Sequence, residues 1–331
     1  MVSRSCCRRR CRPAPHPGRS GSAHLPSIGP VTDPELDELL DSLPCTARRP
    51  RTVEELGGGL TNTNLKVSNP DGVVVVRIPA PGPSLLGIDR DHEHVNSVAA
   101  AEAGVGAPVL HYRPGTGLTV GFLPGRTLSD ADLHSPGALA RVAAACRRLH
   151  AGPRFVNEFD MFEVQAGYRR IVAEHGFWLP PRYDEFAPLV TRIRAILGPR
   201  TGTVPCHNDL LAENLLDDGE RVRIIDYEYA GNNDPCFELG NIWSESELSL
   251  DELEVLVDSY YGQHLRHKVA RARLLGLMAR YGWTLWASIQ AEVSPIEFDF
   301  WAWGMAKYEL ALAEFDGPEF DHLLTEARRP D

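Results

Sequence analysis

The chain predicts an α+β fold in two parts, a small antiparallel sheet followed by a larger, mostly helical region. Three observations carry this reading. Between residues 50 and 124, β-branched runs alternate with turns rich in Gly and Pro. From about residue 125 onward, apolar residues recur at helical spacing through segments rich in Ala, Leu and Arg. Among these helices stands one polar loop, His207 to Asn214, entered by one apolar segment and left by another that ends on Asp226.

The elements follow in order. Residues 1–30 hold Arg, Pro, Gly and Ser but few large apolar residues, which predicts a disordered basic tail. Its Arg-rich start is not followed by the apolar stretch of a signal peptide. The sheet-bearing part is expected over 31–124 and the helical part over 125–331. Pro34 and the acids Glu35, Asp37 and Glu38 fit the first turn of a short helix through Leu40. Val53 to Val67 reads as strand, Gly57-Gly58-Gly59 turn and strand. A second turn, Asn69-Pro70-Asp71-Gly72, leads into Val73-Val74-Val75-Val76-Arg77-Ile78-Pro79, a buried strand. A helix opens near Ile88 and runs to about Ala103, where Gly104 and Gly106 stop it. Val109–Tyr112 and Leu118–Phe122 form a hairpin, broken by Leu123-Pro124-Gly125. Helices are then expected over 136–150, 162–175, 184–197 and 251–264, with a last long segment from Val269 to Glu314.

The chemistry concentrates in Val204-Pro205-Cys206-His207-Asn208-Asp209 through Asn214, and in Ile225-Asp226-Tyr227-Glu228. Transfer of a phosphoryl group from ATP needs a carboxylate to orient and deprotonate the attacking hydroxyl. It also needs an amide oxygen and a second carboxylate to hold magnesium on the phosphates. Asp209, Asn214 and Asp226 supply that set in the order and spacing that protein kinases use, D-x-x-x-x-N followed by a metal-binding Asp. An H-x-D pattern alone would be weak evidence; the three-part constellation between strands is strong.

This stretch resembles the catalytic loop of the aminoglycoside phosphotransferase and choline/ethanolamine kinase superfamily, which shares the protein-kinase fold. The run Ile225-Asp226-Tyr227-Glu228-Tyr229, then Phe237-Glu238-Leu239-Gly240-Asn241, resembles the choline/ethanolamine branch. So does Gly58-Gly59-Leu60-Thr61-Asn62. The resemblance implies a bilobal protein-kinase-like fold with an N-lobe to about Phe122. It implies that backbone amides from Gly58 to Asn62 and the cation Arg77 hold ATP phosphates. Arg77 stands where protein kinases carry a Lys, and a guanidinium can take a phosphate or carboxylate by two parallel hydrogen bonds. Glu93, within an R-x-x-E pattern, becomes the partner of Arg77, and Phe122 and Leu123 the adenine contacts. Four of the six Trp fall between residues 283 and 303. Trp283 and Trp286 are three apart and share a helix face, which by itself marks core residues. The resemblance adds a second role: Trp283, Trp286 and Trp303 as an aromatic cage for an organic cation, with Glu245 as its carboxylate.

Composition bounds the rest. The formal net charge is −11; setting aside the six Arg of the tail leaves 28 basic residues against 45 acidic ones, a balance of −17. An acidic body does not suit nucleic acid; it suits a small cationic partner, although charge alone is accounted for first by an acidic surface that keeps the protein in solution. No apolar run is long enough to span a membrane. Seven scattered Cys without a C-x-x-C pattern argue against a disulfide framework or zinc site and for a cytoplasmic, reduced setting. The pattern specifies no oligomeric state. The expected reaction is ATP- and Mg2+-dependent phosphorylation of a small amino alcohol, choline first and ethanolamine second, with Asp209 as base or orienter. A polyol or aminoglycoside acceptor would ask for acids and amides where the tryptophans stand. A catalytically dead binding module would have lost Asp209, Asn214 or Asp226. A protein kinase would carry an Ala-Pro-Glu motif after Asp226.

Overall fold

The computed structural model describes residues 34–57, 61–80 and 85–329. The basic tail expected over 1–30, and Gly58 and Gly59, lie outside the described residues.

The chain opens with α1 (Pro34–Ser42) and a sheet built from β1 (Thr52–Leu56), β2 (Asn62–Asn69) and β3 (Gly72–Pro79). After α2 (Arg90–Glu102), β4 (Val109–Arg113) and β5 (Gly117–Gly121) complete it. The strands run antiparallel in the order β1-β2-β3-β5-β4. Leu65, Val67, Val74 and Val76 alternate onto one face, and Leu36, Leu39, Leu40 and Leu43 of the α1 region cover it. Arg51, its side chain 2% exposed, ties α1 down through Asp37 at 2.7 Å and Asp41 at 2.5 Å. Asp89 caps α2 by accepting from the amides of Asp91 and His92. The β2–β3 register sets Arg77 opposite Asn64, in the second half of β3.

The helical part begins with β6 (Arg126–Thr127), α3 (Asp130–Leu133), α4 (Ala138–His150), α5 (Met161–His175) and α6 (Ala187–Leu197). A 3-10 turn, Tyr183–Phe186, precedes α6. Then come β7 (Val204–Cys206), β8 (Leu215–Asp217), β9 (Val222–Ile224) and β10 (Gly231–Asn233). These short strands make two ribbons, β7 with β10 and β6-β8-β9. They hold the loop 207–214 and the segment 225–230 side by side. Last come α7 (Pro235–Glu245), α8 (Leu250–Tyr261), α9 (Arg266–Val293), α10 (Phe300–Phe315) and α11 (Phe320–Ala327).

The centre of the helical part is α9, buried on every side from Leu274 to Gln290. Its crossing with α7 is unusually close. A Cβ on Gly240 would strike the Ala272 carbonyl and come within 2.7 Å of the Gly276 amide nitrogen, so only paired glycines fit. The expected single segment from Val269 to Glu314 is two helices. Ser294 and Pro295 end α9, because proline offers no amide to continue the ladder, and α10 restarts on an Asp299 cap. Among the described residues, no helix is long and apolar enough to cross a membrane.

Candidate active site

The loop after β7 is held from behind. Glu238, on the first turn of α7 and fully buried, accepts the amides of His207 at 2.7 Å and Asn208 at 2.8 Å. His150, the last residue of α4, lies 3.5 Å from the same carboxylate and 3.6 Å from the Cys206 sulfur. Burial opposes the ionisation of Glu238, yet its hydrogen bonds and the imidazoles of His150 and His207 hold it below the ordinary carboxylate value. Asn208 is left-handed, at φ 70°. Its side chain satisfies three backbone carbonyls, those of Cys206, Tyr229 and Gly231. That set of bonds sustains a conformation non-glycine residues seldom adopt. His207 accepts the Asp209 amide on Nδ1, so its proton sits on Nε2 and is donated to the Ile225 carbonyl at 2.8 Å. Both ring nitrogens are thereby spent within the loop. Asn214 donates to the Asp209 carbonyl at 2.9 Å, which leaves its amide oxygen as the free end.

Asp226 is the second left-handed non-glycine residue here, at φ 72°. Its carboxylate accepts from Arg77 at 2.6 Å, and Arg77 also meets Glu93 at 3.2 Å, the ion pair expected between β3 and α2. Burial opposes its ionisation, but the guanidinium beside it holds Asp226 below the usual range. Glu93 shares a second cation, Arg90, at 2.6 Å, and Arg90 continues to Glu228 at 3.0 Å. The side chains of Thr61 and Asn62 close the chain by donating to Glu228 at 2.8 and 2.9 Å. Their described contacts are therefore to a carboxylate of the helical part. Burial and the neighbouring Asp226 push Glu228 up to about 7.

A cleft of about 500 Å³ opens between the sheet and this ribbon. Arg77, Glu93, Phe122, Leu123, Asn214 and Asp226 all line it, so six of the predicted residues converge on one space. Its apolar walls come from Val75, Leu118, Val120, Leu216 and Ile225, a slot suited to a flat heterocycle. Asn214 and Asp226 contribute oxygen donors to the floor, the type a hard divalent cation takes, so this pair fits magnesium.

The predicted aromatics assemble around Tyr229 and α7. Trp283 is 3% exposed and donates its indole N–H to Asn241 at 3.2 Å. Trp286 donates to the Tyr229 hydroxyl at 2.8 Å and meets the Trp303 ring at 5.5 Å between centroids. Tyr229 stands edge-on to Trp283 at 5.2 Å. Glu245, at the end of α7, is ion-paired to Lys307 of α10 at 2.5 Å. Tyr229 also lines a second cavity of about 420 Å³, whose wall carries Asp89, Glu158, Asp160, Glu163 and Glu228 against one guanidinium, Arg200, paired with Glu158 and Asp160. Burial, then the negative charges of Glu245, Glu228 and Asp226, push the Asp209 carboxyl well up, while Lys307 pulls it down. Asp209 is thus within electrostatic reach of both predicted groups of residues.

Sequence reasoning did not assign Arg90, Glu238, Tyr229 or Lys307 a part. Arg90 was visible as the first residue of R-x-x-E, and Lys307 sits four residues after Trp303, on the same face of α10. Glu238 lay within the Phe237–Asn241 run that carries the resemblance, but nothing local tied its carboxylate to the amides of His207 and Asn208.

The sequence model of the phosphotransferase enzyme family matches residues 52–276. "Protein LicA" of Haemophilus influenzae is 30% identical over 71% of this chain and 72% of its own. A probable ethanolamine kinase of Arabidopsis thaliana is 26% identical over 78% of both chains. A solved choline/ethanolamine kinase family protein from Mesorhizobium loti is 31% identical, covers 89% of this chain and 98% of its own, and superposes with a TM-score of 0.78. A bilobal α+β fold of this kind, on a chain matched by that family, defines the class of ATP-dependent small-molecule kinases. This chain belongs to the phosphotransferase enzyme family and, within it, to the choline/ethanolamine kinase family.

Proposed function

We propose that the protein transfers the γ-phosphoryl group of magnesium-bound ATP to the hydroxyl of a small amino alcohol, choline first and ethanolamine second, in the cytoplasm. One observation carries the reading. The charges that act on Asp209 are those of Asp226, on the cleft that Arg77 and Asn214 also line, and of Glu245 and Lys307, beside the aromatic group of Tyr229, Trp286 and Trp303. The names of the relatives, LicA and ethanolamine kinases, point the same way.

In this reading the adenine lies between the apolar cleft walls near Phe122 and Leu123. Arg77, Glu93 and the segment from Gly58 through Gly59 to Thr61 and Asn62 frame the phosphates. Asn214 and Asp226 hold the magnesium, which neutralises phosphate charge when bound. Arg77 then serves the phosphates with the donors it now gives Asp226. Asp209 orients the acceptor hydroxyl and takes its proton. Its raised proton affinity suits a base. The acceptor's cationic end lies against Trp286 and Trp303, backed by Glu245 and by Trp283 behind them. The acidic cavity beside Tyr229 supplies the field that draws a cation in.

The test is ADP release with magnesium-ATP against choline, ethanolamine and a panel of aminoglycosides. Turnover with the amino alcohols and not with the panel supports the reading. Turnover confined to an aminoglycoside would replace the acceptor, and silence with every amino alcohol would end the proposal.

A further inference from the structure

The seat just given to the acceptor's cationic end already holds a cation. Lys307 reaches Glu245 at 2.5 Å, and its ammonium lies over the Trp303 ring, 4.2 Å from the centroid. The arrangement is enclosed. Lys307 is 7% exposed, and the Glu245 side chain 2%. A carboxylate and an aromatic face converging on one ammonium make the environment that binds a free organic ammonium. Nothing else about α10 calls for a lysine there. The neighbouring inward positions are Phe300, Gly304, Tyr308 and Ala311, small or apolar groups that pack. A buried lysine is retained at a cost unless its charge has a use.

We propose that Lys307 is a tethered cation that occupies the acceptor's ammonium seat in the free enzyme, and that an amino alcohol binds by displacing it from Glu245 and Trp303. This rests on the reading of the site as an amino-alcohol kinase. The long flexible stem of lysine lets the charged head swing out while the stem stays packed.

Two consequences distinguish this from a structural salt bridge. Every acceptor competes with a side chain held at high local concentration, so removing Lys307 tightens acceptor binding. The exchange also differs between acceptors. The ammonium of ethanolamine has N–H groups and restores the hydrogen bond to Glu245. A trimethylammonium has none, and leaves that carboxylate without a donor. Lys307 therefore weighs against quaternary acceptors more than against primary ones.

The first experiment uses the wild-type enzyme. Lysines are acetylated briefly with an amine-reactive ester, with and without saturating choline, and Lys307 modification is read by peptide mass spectrometry. Choline should raise its labelling severalfold; unchanged or lowered labelling overturns the proposal. The second compares variants. Lys307→Met should lower the KM for choline at least fivefold, lower that for ethanolamine less, and leave the KM for ATP in place. Lys307→Arg, which keeps a tethered charge, should stay near wild type for choline. A choline KM that rises in Lys307→Met, or one that moves together with the KM for ATP, assigns the pair to structure and sinks the idea. Should the Met variant not fold, the labelling result decides alone. If wild type turns over neither amino alcohol, the functional reading has failed and takes this one with it. If wild type turns them over and Lys307 responds to nothing, only this inference fails.

Discussion

The Asp209 carboxyl feels the charges of Asp226, in the proposed nucleotide cleft, and of Glu245 and Lys307, beside the predicted aromatics, and its amide donates to His207. Replacing it with Asn keeps shape and hydrogen bonds but removes the base. The expected result for Asp209→Asn is intact folding and nucleotide binding with turnover lower by about 10²–10⁴, as loss of a general base gives. ADP-release kinetics beside a nucleotide-binding titration check it, and turnover within about tenfold of wild type would remove Asp209 from that role. Glu238 carries a different prediction. Its carboxyl is held below the ordinary value in the fold, so it contributes stability above the unfolded carboxylate range and loses it as pH falls through the folded value. Glu238→Gln should therefore be less stable than wild type near pH 7, by about 2 kcal/mol for an impaired buried hydrogen-bond pair. The gap should shrink as pH drops below about 4, in urea midpoints taken across that range. A gap independent of pH would mean the charge contributes nothing.

The helices divide the tryptophans into two kinds. Trp283, buried between α7 and α9 with its N–H on Asn241, is core as well as wall; Trp303, half-buried on α10, has the Lys307 ammonium over its ring. Trp283→Ala should cost about 3–5 kcal/mol of stability, the range for a large aromatic removed from a core. Trp303→Ala should cost far less and act on the acceptor KM. Chemical denaturation paired with KM values for choline and ATP separates the two. Equal destabilisation by both changes would contradict the division. The same contrast explains what the sequence could convey. Val73–Ile78, the loop 207–214 and the turn at Gly104 are written in local pattern: alternation, spacing, a residue suited to positive φ. The break after Val293 was equally present as Ser294-Pro295, but a run of aromatics on both sides masked it. Glu238 and Lys307 act on partners brought near by packing of separate elements, as does Arg90 in reaching Glu228, and no spacing along the chain announces such a neighbour; only the Arg90–Glu93 pair was written in local spacing.

Beside the apolar packing of Leu86, Ala99, Ala100 and Val105 on the helical core, the two lobes meet through polar contacts: Arg77 with Asp226, Arg90 with Glu228, and Thr61 and Asn62 with Glu228. These polar contacts all lie where the nucleotide and its metal are proposed to sit. Ligand that binds only the assembled site stabilises the fold by mass action, by about 2.7 kcal/mol at a hundredfold excess over Kd. Magnesium-ATP should accordingly raise the unfolding midpoint, and chelating the magnesium should reverse most of the gain. A thermal-shift series with ATP, with magnesium and with both reads this directly. A response to ATP that ignores magnesium would argue against Asn214 and Asp226 as metal ligands.

The interruption at Pro295 has a consequence for how such an enzyme changes over evolutionary time. It makes α10 a separate piece, joined by the short stretch 294–299 and seated on α9 where Gly304 meets Ala287. Trp303 and Lys307 both ride on that piece, while Asp209, Asn214 and Asp226 belong to a different stretch of chain. If the proposed acceptor seat holds, exchange of one helical cassette alters its Trp303 and Lys307 share, while Glu245, Trp283 and Trp286 stay on α7 and α9 and the phosphoryl-transfer residues are untouched. A graft of α10 from a relative with another acceptor isolates that share.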